Sequence, residues 1–135
     1  MGQIVGLDSV IFIYLLEANP EYLSQVEAVL RSIERGATPA VFSSLGLIEI
    51  LTGPKKLGRF DLAAQYKETL VRFPNLTIMG LNEYIVDSAS DLRARYNLAT
   101  PDAIHLATAL AGGAQKFITN DKSLQKVQEI KVELL

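Results

Sequence analysis

Short runs of apolar residues alternate along the chain with longer segments in which apolar residues recur every three or four positions. The first pattern is typical of buried strands and the second of helices packed against a core. We predict five strands, at residues 3–7, 39–43, 76–79, 115–119 and 130–134. Between them we predict helices at residues 9–16, 19–36, 44–51, 60–73, 82–96 and 100–111, and a short helix after Asn120-Asp121. This alternation predicts an α/β fold with a largely parallel sheet.

Local signals support several of these boundaries. Asn19, Pro20 and Glu21 supply a helix cap, a first-turn proline and a first-turn acid, so we place a helix start there. Asn82 is the predicted cap of the helix at residues 82–96. Residues 53–59 combine two glycines, a proline and three basic residues, and we predict a basic surface loop.

The composition is that of a folded domain. The chain has 135 residues, of which 49% are hydrophobic and 21% charged, and its net charge is −2. A disordered tail would be poorer in apolar residues and more highly charged, so we expect a single domain over residues 1–135. The mild acidity argues against a basic coat that binds nucleic acid without specificity.

The reactive side chains are few. The absence of cysteine excludes a disulfide framework, a thiolate zinc site and a cysteine nucleophile. The single histidine, His105, excludes a metal site built from several histidines. Any metal would therefore be held by carboxylates, which favours Mg²⁺ or Mn²⁺.

No segment has the roughly 18 consecutive apolar residues that a membrane span requires. The longest apolar candidate, residues 40–51, is too short and contains Glu49. No basic residue precedes Arg31, whereas signal peptides begin with basic residues and mitochondrial presequences are rich in arginine. We therefore expect a cytoplasmic protein that does not associate with membranes.

Two acids occur in apolar surroundings. Asp8 follows the first predicted strand, at an edge where ligands of α/β proteins bind, although it could equally be a helix cap. Glu49 is the only charged residue between Arg35 and Lys55. An ionised carboxylate there is costly unless it is paired or binds a cation, and the alternative is an exposed stripe on an amphipathic helix.

Two further acids begin helices. Asp102 opens a strongly apolar helix, and the alternative is a first-turn acid that faces the helix dipole behind a Thr100 cap. His105, one turn further on, we interpret as a structural or supporting group, with a general base as the less favoured alternative. Asp121 follows the fourth strand and, considered alone, is typical of a turn or cap.

Considered together, the four acids predict a metal site. A parallel sheet brings the ends of its strands and the starts of the following helices to one edge, so all four should meet there. Like charges raise one another's pKa, and divalent cations would relieve this repulsion, activate water and bind a phosphate oxygen. The constellation is that of a metal-dependent phosphodiesterase. Lys55, Lys56 and Arg59 are candidates for contacts with flanking phosphates, with a solvated surface loop as the alternative.

These motifs resemble the PIN-domain family, and within it the small VapC-type ribonuclease toxins. The matching segments are residues 7–9, residues 44–51 around Glu49, residues 100–110, and residues 118–121 after the Gly112-Gly113 turn. Their order and spacing cover essentially the whole chain. One departure is Val10, which stands where the family often has Asn or Ser.

The resemblance implies a three-layer α/β/α fold whose five-stranded sheet has the order 3-2-1-4-5. It implies that Asp8, Glu49, Asp102 and Asp121 bind Mg²⁺ or Mn²⁺, supported by Ser9, Thr119 and His105. It further implies an endoribonuclease that cleaves RNA, forms a homodimer and is neutralised by a small antitoxin protein. The alternatives are a non-catalytic PIN-like binding module and a phospho-receiver domain. The receiver is disfavoured because Asp8 has no adjacent acid and no Lys follows the last strand.

Overall fold

A computed structural model describes residues 2–135; Met1, the first residue of the predicted domain, lies outside the described residues. Five parallel strands form one sheet in the order β3-β2-β1-β4-β5, which confirms the predicted fold class and strand order. The strands are β1 Val5–Leu7, β2 Ala40–Ser43, β3 Leu76–Met79, β4 Lys116–Thr119 and β5 Lys131–Leu134.

Six helices connect the strands and cover both faces of the sheet. They are α1 Val10–Leu16, α2 Leu23–Glu34, α3 Ser44–Lys56, α4 Phe60–Val71, α5 Glu83–Tyr96 and α6 Thr100–Ala111. A 3₁₀ helix, Lys122–Lys126, leads from β4 to β5. No helix within residues 2–135 combines the length and the apolar character needed to cross a membrane.

Side-chain alternation along the strands creates two cores. Val41 and Phe117 pack with α5 and α6, whereas their neighbours Phe42 and Ile118 pack with α1 and α2 on the opposite face. The helix α6 approaches the sheet closely because Gly6 has no side chain. A Cβ atom on Gly6 would lie 2.3 Å from Cβ of Ala109. This close packing sets the start of α6 beside the end of β1.

The predicted basic loop is wrong in its first half. Residues 53–56 form the last turn of α3, and Pro54 is buried inside that helix. A proline within a helix normally costs about 3 kcal/mol because it removes one hydrogen bond and crowds the preceding turn. Here the ring lines an apolar groove with Leu57 and Tyr66, and the helix ends only two residues later. Apolar burial therefore offsets the lost hydrogen bond.

The second helix also begins later than predicted. Asn19 accepts hydrogen bonds from the backbone N–H groups of Glu21 and Tyr22, at 2.9 and 3.2 Å. These bonds stabilise a turn rather than the first turn of the helix, and α2 begins at Leu23. Asn82 does cap α5, since its side chain accepts from the N–H of Ile85 at 2.9 Å.

Candidate functional site

The ends of β1 and β4 are tied together by hydrogen bonds through Thr119. The buried hydroxyl of Thr119 donates to Oδ2 of Asp8 at 2.7 Å and accepts from the backbone N–H of Asp121 at 3.1 Å. The N–H of Asp8 also donates to the carbonyl of Ile118 at 3.0 Å. Because β1 and β4 are adjacent, Asp8 and Asp121 emerge at the same edge of the sheet, as predicted.

Asp121 also caps the 3₁₀ helix that follows it. Its Oδ1 accepts from the N–H of Ser123 at 2.9 Å and from the hydroxyl of Ser123 at 2.7 Å. The cap expected for an Asp at this position is therefore present. The cap and a role at the cleft are compatible, because a carboxylate has two oxygens and about four acceptor positions.

Glu49 lies on α3 and is paired with the single histidine. Nε2 of His105 lies 2.6 Å from Oε1 of Glu49, and the imidazole is buried against the ring of Phe42. This hydrogen bond lowers the pKa of Glu49, followed by the smaller effects of the His105 charge and a hydrogen bond with Ser9, while burial opposes them. The expectation that neighbouring acids would raise the pKa of every carboxylate is thus wrong for Glu49, because its hydrogen bond to His105 lowers this pKa and outweighs the effect of burial.

The other nitrogen of this histidine has no partner. Nδ1 of His105 is buried and makes no hydrogen bond within residues 2–135. The imidazole is therefore held in place by its hydrogen bond to Glu49 and by packing. Ser9, also buried, places its hydroxyl 3.5 Å from Oδ1 of Asp8, so the start of α1 contacts both acids.

Asp102 is the acid whose pKa is affected by the other three carboxylates. Its partial burial raises the pKa of the Asp102 carboxyl above the ordinary value. The negative charges of three other carboxylates raise this pKa further, namely those of Asp8, Asp121 and Glu49. The charge of His105 acts in the opposite direction. The carboxylates of Asp8, Asp121 and Glu49 therefore all lie close enough to Asp102 to affect its pKa.

The alternative explanation for Asp102 is only partly right. Asp102 does lie in the first turn of α6, where an acid is favoured by the helix dipole. The predicted Thr100 cap is wrong, because the cap position is Ala99 and no side chain caps this helix. Pro101 in the first turn reduces the need for such a cap, since it has no N–H to satisfy.

The donor chemistry of these acids suits Mg²⁺ or Mn²⁺, since all four supply carboxylate oxygens. As the side chains lie, however, no three acidic or histidine groups among residues 2–135 are close enough to hold one ion. Asp8, Glu49 and Asp121 instead bond to Thr119, His105 and Ser123. The four carboxylates are thus suitable ligands for a divalent cation and lie at the same edge of the sheet. To bind one, their side chains would have to rotate away from their present hydrogen-bond partners.

The predicted phosphate-binding cations lie around the end of α3. Lys55 and Lys56 are exposed in its last turn, where cations also favour the helix dipole. Nε of Arg59 lies 3.1 Å from Oδ1 of Asp61, so the charge of this guanidinium is balanced locally. The phosphate-binding role of all three residues stays a prediction.

An open cavity of about 360 Å³ lies at the β1–β4 edge and is lined by Asp8, Thr119 and Asp121. Its other lining residues are Val10, Tyr14, Asn120 and Lys122. Sequence reasoning missed Tyr14 and Asn120 as cavity residues. The available signals were the four-residue spacing of Val10 and Tyr14, which puts them on one face of α1, and the position of Asn120 between two site residues.

Comparison with known proteins places this geometry in context. The model of a family described as PIN domain matches residues 5–130 of the chain. None of the curated proteins matches the sequence significantly.

Solved structures match nearly the whole chain. VapBC2 from Rickettsia felis, bound to a DNA fragment from its promoter, matches with a TM-score of 0.74 at 18% identity, over 97% of this chain and 98% of that chain. VapBC-1 from nontypeable Haemophilus influenzae matches with a TM-score of 0.73 at 20% identity, over 96% of both chains. A toxin–antitoxin complex from Klebsiella pneumoniae gives 0.69 at 22% identity, over 96% and 95%. At these identities, the similarity shows a shared fold.

Proposed function

The chain belongs to the PIN domain family, and we propose that it is a metal-dependent endoribonuclease that acts as the toxin of a toxin–antitoxin pair. The observation that carries the proposal is the convergence of four carboxylates on one edge of the sheet, where the charges of Asp8, Glu49 and Asp121 all act on Asp102. These charges oppose the ionisation of Asp102, and a divalent cation would relieve that repulsion.

Asp8, Glu49, Asp102 and Asp121 would hold Mg²⁺ or Mn²⁺. When bound, such an ion supplies positive charge that activates water and stabilises developing charge on phosphate oxygens. The proposed reaction is hydrolysis of an RNA phosphodiester bond. We propose that this reaction takes place in the cytoplasm.

The surrounding residues would orient the acids. Thr119 donates to Oδ2 of Asp8, and the hydroxyl of Ser9 lies 3.5 Å from Oδ1. His105 fixes the position of Glu49 through its Nε2. Supporting hydrogen bonds of this kind commonly change metal affinity or activity by about 10–100-fold when they are removed. Lys55, Lys56 and Arg59 would bind phosphates that flank the cleaved bond.

The toxin role is supported by structures that share this fold, which include toxin–antitoxin and VapBC complexes. We propose that a small antitoxin protein binds this chain near the acidic cleft. Ile48, Leu57 and Phe60 are exposed apolar side chains on α3, just after it and at the start of α4. Glu49 borders an apolar groove between α1, α3 and α4, so a partner in that groove would reach the acids. Exposed apolar side chains of this kind are typical of protein interfaces.

A second set of exposed apolar side chains lies on the other side of the sheet. Leu81, Tyr84 and Val86 are each more than half exposed, and they flank the start of α5. We propose that this set forms the homodimer contact, which leaves the α3–α4 surface for the antitoxin. Size-exclusion chromatography with light scattering tests this, and Tyr84→Glu should shift the protein to a monomer.

An RNA cleavage assay tests the enzymatic function. Purified protein should cleave single-stranded or structured RNA with Mg²⁺ or Mn²⁺, and cleavage should stop with chelator and with Asp8→Asn. Asp91→Asn is the matched control, because Asp91 is an exposed acid on α5, remote from the cleft. Robust cleavage in excess chelator by nuclease-free preparations would contradict the metal mechanism.

One observation favours the alternative of a non-catalytic binding module. No three acidic or histidine side chains of the described chain, residues 2–135, are already arranged to hold an ion. Under this alternative, the protein binds a partner through the same cleft but leaves RNA intact in Mg²⁺ and Mn²⁺. The cleavage assay separates the two functions directly.

A further inference from the structure

The cavity at the β1–β4 edge has an aromatic wall that the proposed hydrolysis does not use. Tyr14 lines the cavity and stacks on Tyr22, with ring centroids 4.9 Å apart and ring planes 9° from parallel. Tyr22 does not line the cavity, so it supports the Tyr14 ring from outside the cavity. The stacked pair therefore offers a supported aromatic surface close to Asp8 and Asp121.

An amide lies beside this aromatic wall. Nδ2 of Asn120 donates to the hydroxyl of Tyr14 at 3.0 Å, which fixes both side chains. This bond uses one N–H of the amide and one acceptor position of the hydroxyl. The amide has a second N–H and a carbonyl oxygen, and the tyrosine has its own O–H, so adjacent donors and acceptors are left for a ligand.

The remaining lining residues suit a nucleotide. Val10 lies one turn before Tyr14 on the same face of α1 and adds an apolar contact. Lys122 provides the only cation among the lining residues. The volume of about 360 Å³ lies at the small end of the range for ligand pockets, roughly 300–1,000 Å³. An aromatic face combined with a polar edge is the surface that unpaired bases of single-stranded RNA bind.

We infer that Tyr14 and Asn120 form a subsite for one unpaired nucleobase of an RNA strand whose backbone crosses the acidic cleft. The base packs against Tyr14, and the amide of Asn120 hydrogen-bonds to the edge of the base. The subsite selects which nucleotide lies next to the cleaved bond. This inference rests on the proposed ribonuclease function, because it names the feature of RNA that this edge of the sheet recognises.

A binding experiment tests the subsite without relying on cleavage. The full-length chain carrying Asp102→Asn, a substitution outside the cavity lining that should prevent cleavage, is titrated with fluorescein-labelled hexanucleotides of A, C or U. Fluorescence anisotropy should give affinities that differ between the RNAs by roughly 5- to 150-fold, as expected when an amide discriminates base edges. In Asn120→Ala, the affinities for the three RNAs should become similar.

Substitutions at Tyr14 separate stacking from hydrogen bonding. Tyr14→Ala should weaken binding of the preferred RNA by roughly 5- to 150-fold, the range for loss of one stacked base. Tyr14→Phe keeps the ring and should weaken binding less. Tyr96→Ala, which removes a tyrosine at the end of α5 that does not line the cavity, is the matched control and should leave RNA binding unchanged. Circular dichroism verifies that each variant is folded.

Several results would overturn the subsite. They are absence of RNA binding, equal affinity for all three RNAs, and equal losses in Tyr14→Ala and Tyr96→Ala. Loss of antitoxin binding in Tyr14→Ala with RNA binding unchanged would overturn it as well, because the cavity would then serve a protein. Cleavage by the wild type is measured separately. RNA cleavage without a Tyr14 effect leaves the ribonuclease proposal intact, whereas base-selective binding without cleavage removes the ribonuclease and keeps the subsite.

Discussion

Nε2 of the buried His105 lies 2.6 Å from Oε1 of Glu49, and this hydrogen bond joins α6 to α3 across the edge of the site. Nδ1 of the same ring is buried without a partner in residues 2–135. Glu49 is therefore the group that satisfies the imidazole. In return, the bond keeps the pKa of Glu49 below its ordinary value, although burial favours the protonated form.

Glu49→Ala should lower the free energy of unfolding by about 1–3 kcal/mol, because it leaves both ring nitrogens of His105 buried without partners. Glu49→Gln keeps an acceptor oxygen at the same place and should cost less. Urea denaturation measures both. Glu68→Ala is the control, since Glu68 pairs with Arg72 on the exposed surface of α4 and should change stability by less than about 1 kcal/mol. Equal effects of Glu49→Ala and Glu68→Ala would show that the Glu49–His105 bond is not a stabilising contact.

Thr119→Val should reduce Mn²⁺ affinity or RNA cleavage by about 10–100-fold, because the hydroxyl that orients Asp8 is lost while the shape of the side chain is kept. Thr119→Ser keeps the hydroxyl and should retain most of the function. Thr108→Val is the matched control. It removes a buried hydroxyl that bonds to the carbonyl of Ile104 within α6, so it should affect stability alone. A similar loss of function in Thr108→Val would assign the Thr119 effect to general destabilisation.

In the absence of metal, a rise in pH should change the stability contributed by Asp102 and the stability contributed by Glu49 in opposite directions. The raised pKa of Asp102 means that its stabilising contribution is present below the ordinary Asp pKa of about 3.9 and is lost as the pH rises through the folded-state pKa. At pH 7, Asp102→Asn should therefore be more stable than the wild type. Solvent screening keeps this gain below about 1 kcal/mol, and it should vanish near pH 3.

Glu49→Gln should have the opposite effect on stability from Asp102→Asn. The lowered pKa of Glu49 means that its contribution is present above the ordinary Glu pKa of about 4.3 and is lost as the pH falls through the folded-state pKa. Glu49→Gln should thus be less stable than the wild type at pH 7, with the difference shrinking in acid. Thermal melts in chelator from pH 3 to 7 measure both variants. If Asp102→Asn and Glu49→Gln both stabilised or both destabilised the protein at pH 7, the opposite pKa shifts of these two acids would be contradicted.

Expression of the wild-type chain should stop growth of a bacterial host, and co-expression of its cognate small protein should restore growth. The exposed apolar side chains Ile48, Leu57 and Phe60 should be needed for this rescue, since they lie beside the cleft. A triple substitution to Ser should stay toxic but escape neutralisation. Harmless overexpression of a folded enzyme that is active in vitro would count against the toxin role and leave the nuclease intact.

Much of the fold could be predicted because the strands are short, apolar and bounded by clear signals. β3 was predicted with the observed bounds, and the cap of α5 by Asn82 is confirmed. The strand order came from the family resemblance, because periodicity alone does not fix which strands are neighbours. The end of α3 was mispredicted because a proline and two glycines are typical of a loop. Tertiary packing of Pro54 overrides that local preference.

The acids of the candidate site could be predicted from the sequence, whereas most of the side-chain contacts in the site could not. Asp8, Glu49, Asp102 and Asp121 stand out in sequence because they follow strands, begin helices or interrupt an apolar segment. The pairing of Glu49 with His105 joins residues 56 positions apart, and no local pattern indicates it. The same holds for Tyr14 and Asn120, which meet only when α1 packs against the end of β4.

The central claim is that four carboxylates form one metal site, and Mn²⁺-dependent thermal stability tests it without knowledge of the RNA. Folding gathers the four acids, so Mn²⁺ should bind the folded state preferentially. At ten times Kd, linkage gives about 1.4 kcal/mol of stabilisation. For a domain of this size, that raises Tm by about 3–6 °C.

The shift in Tm is measured with Mn²⁺ for the wild type and three variants. The account predicts that the shift is largely lost in Asp8→Asn and Asp102→Asn, and that it is retained in Asp91→Asn, which alters an exposed acid on α5. Equal shifts in all three variants would mean diffuse binding of Mn²⁺ to the protein surface and would contradict a common four-carboxylate site.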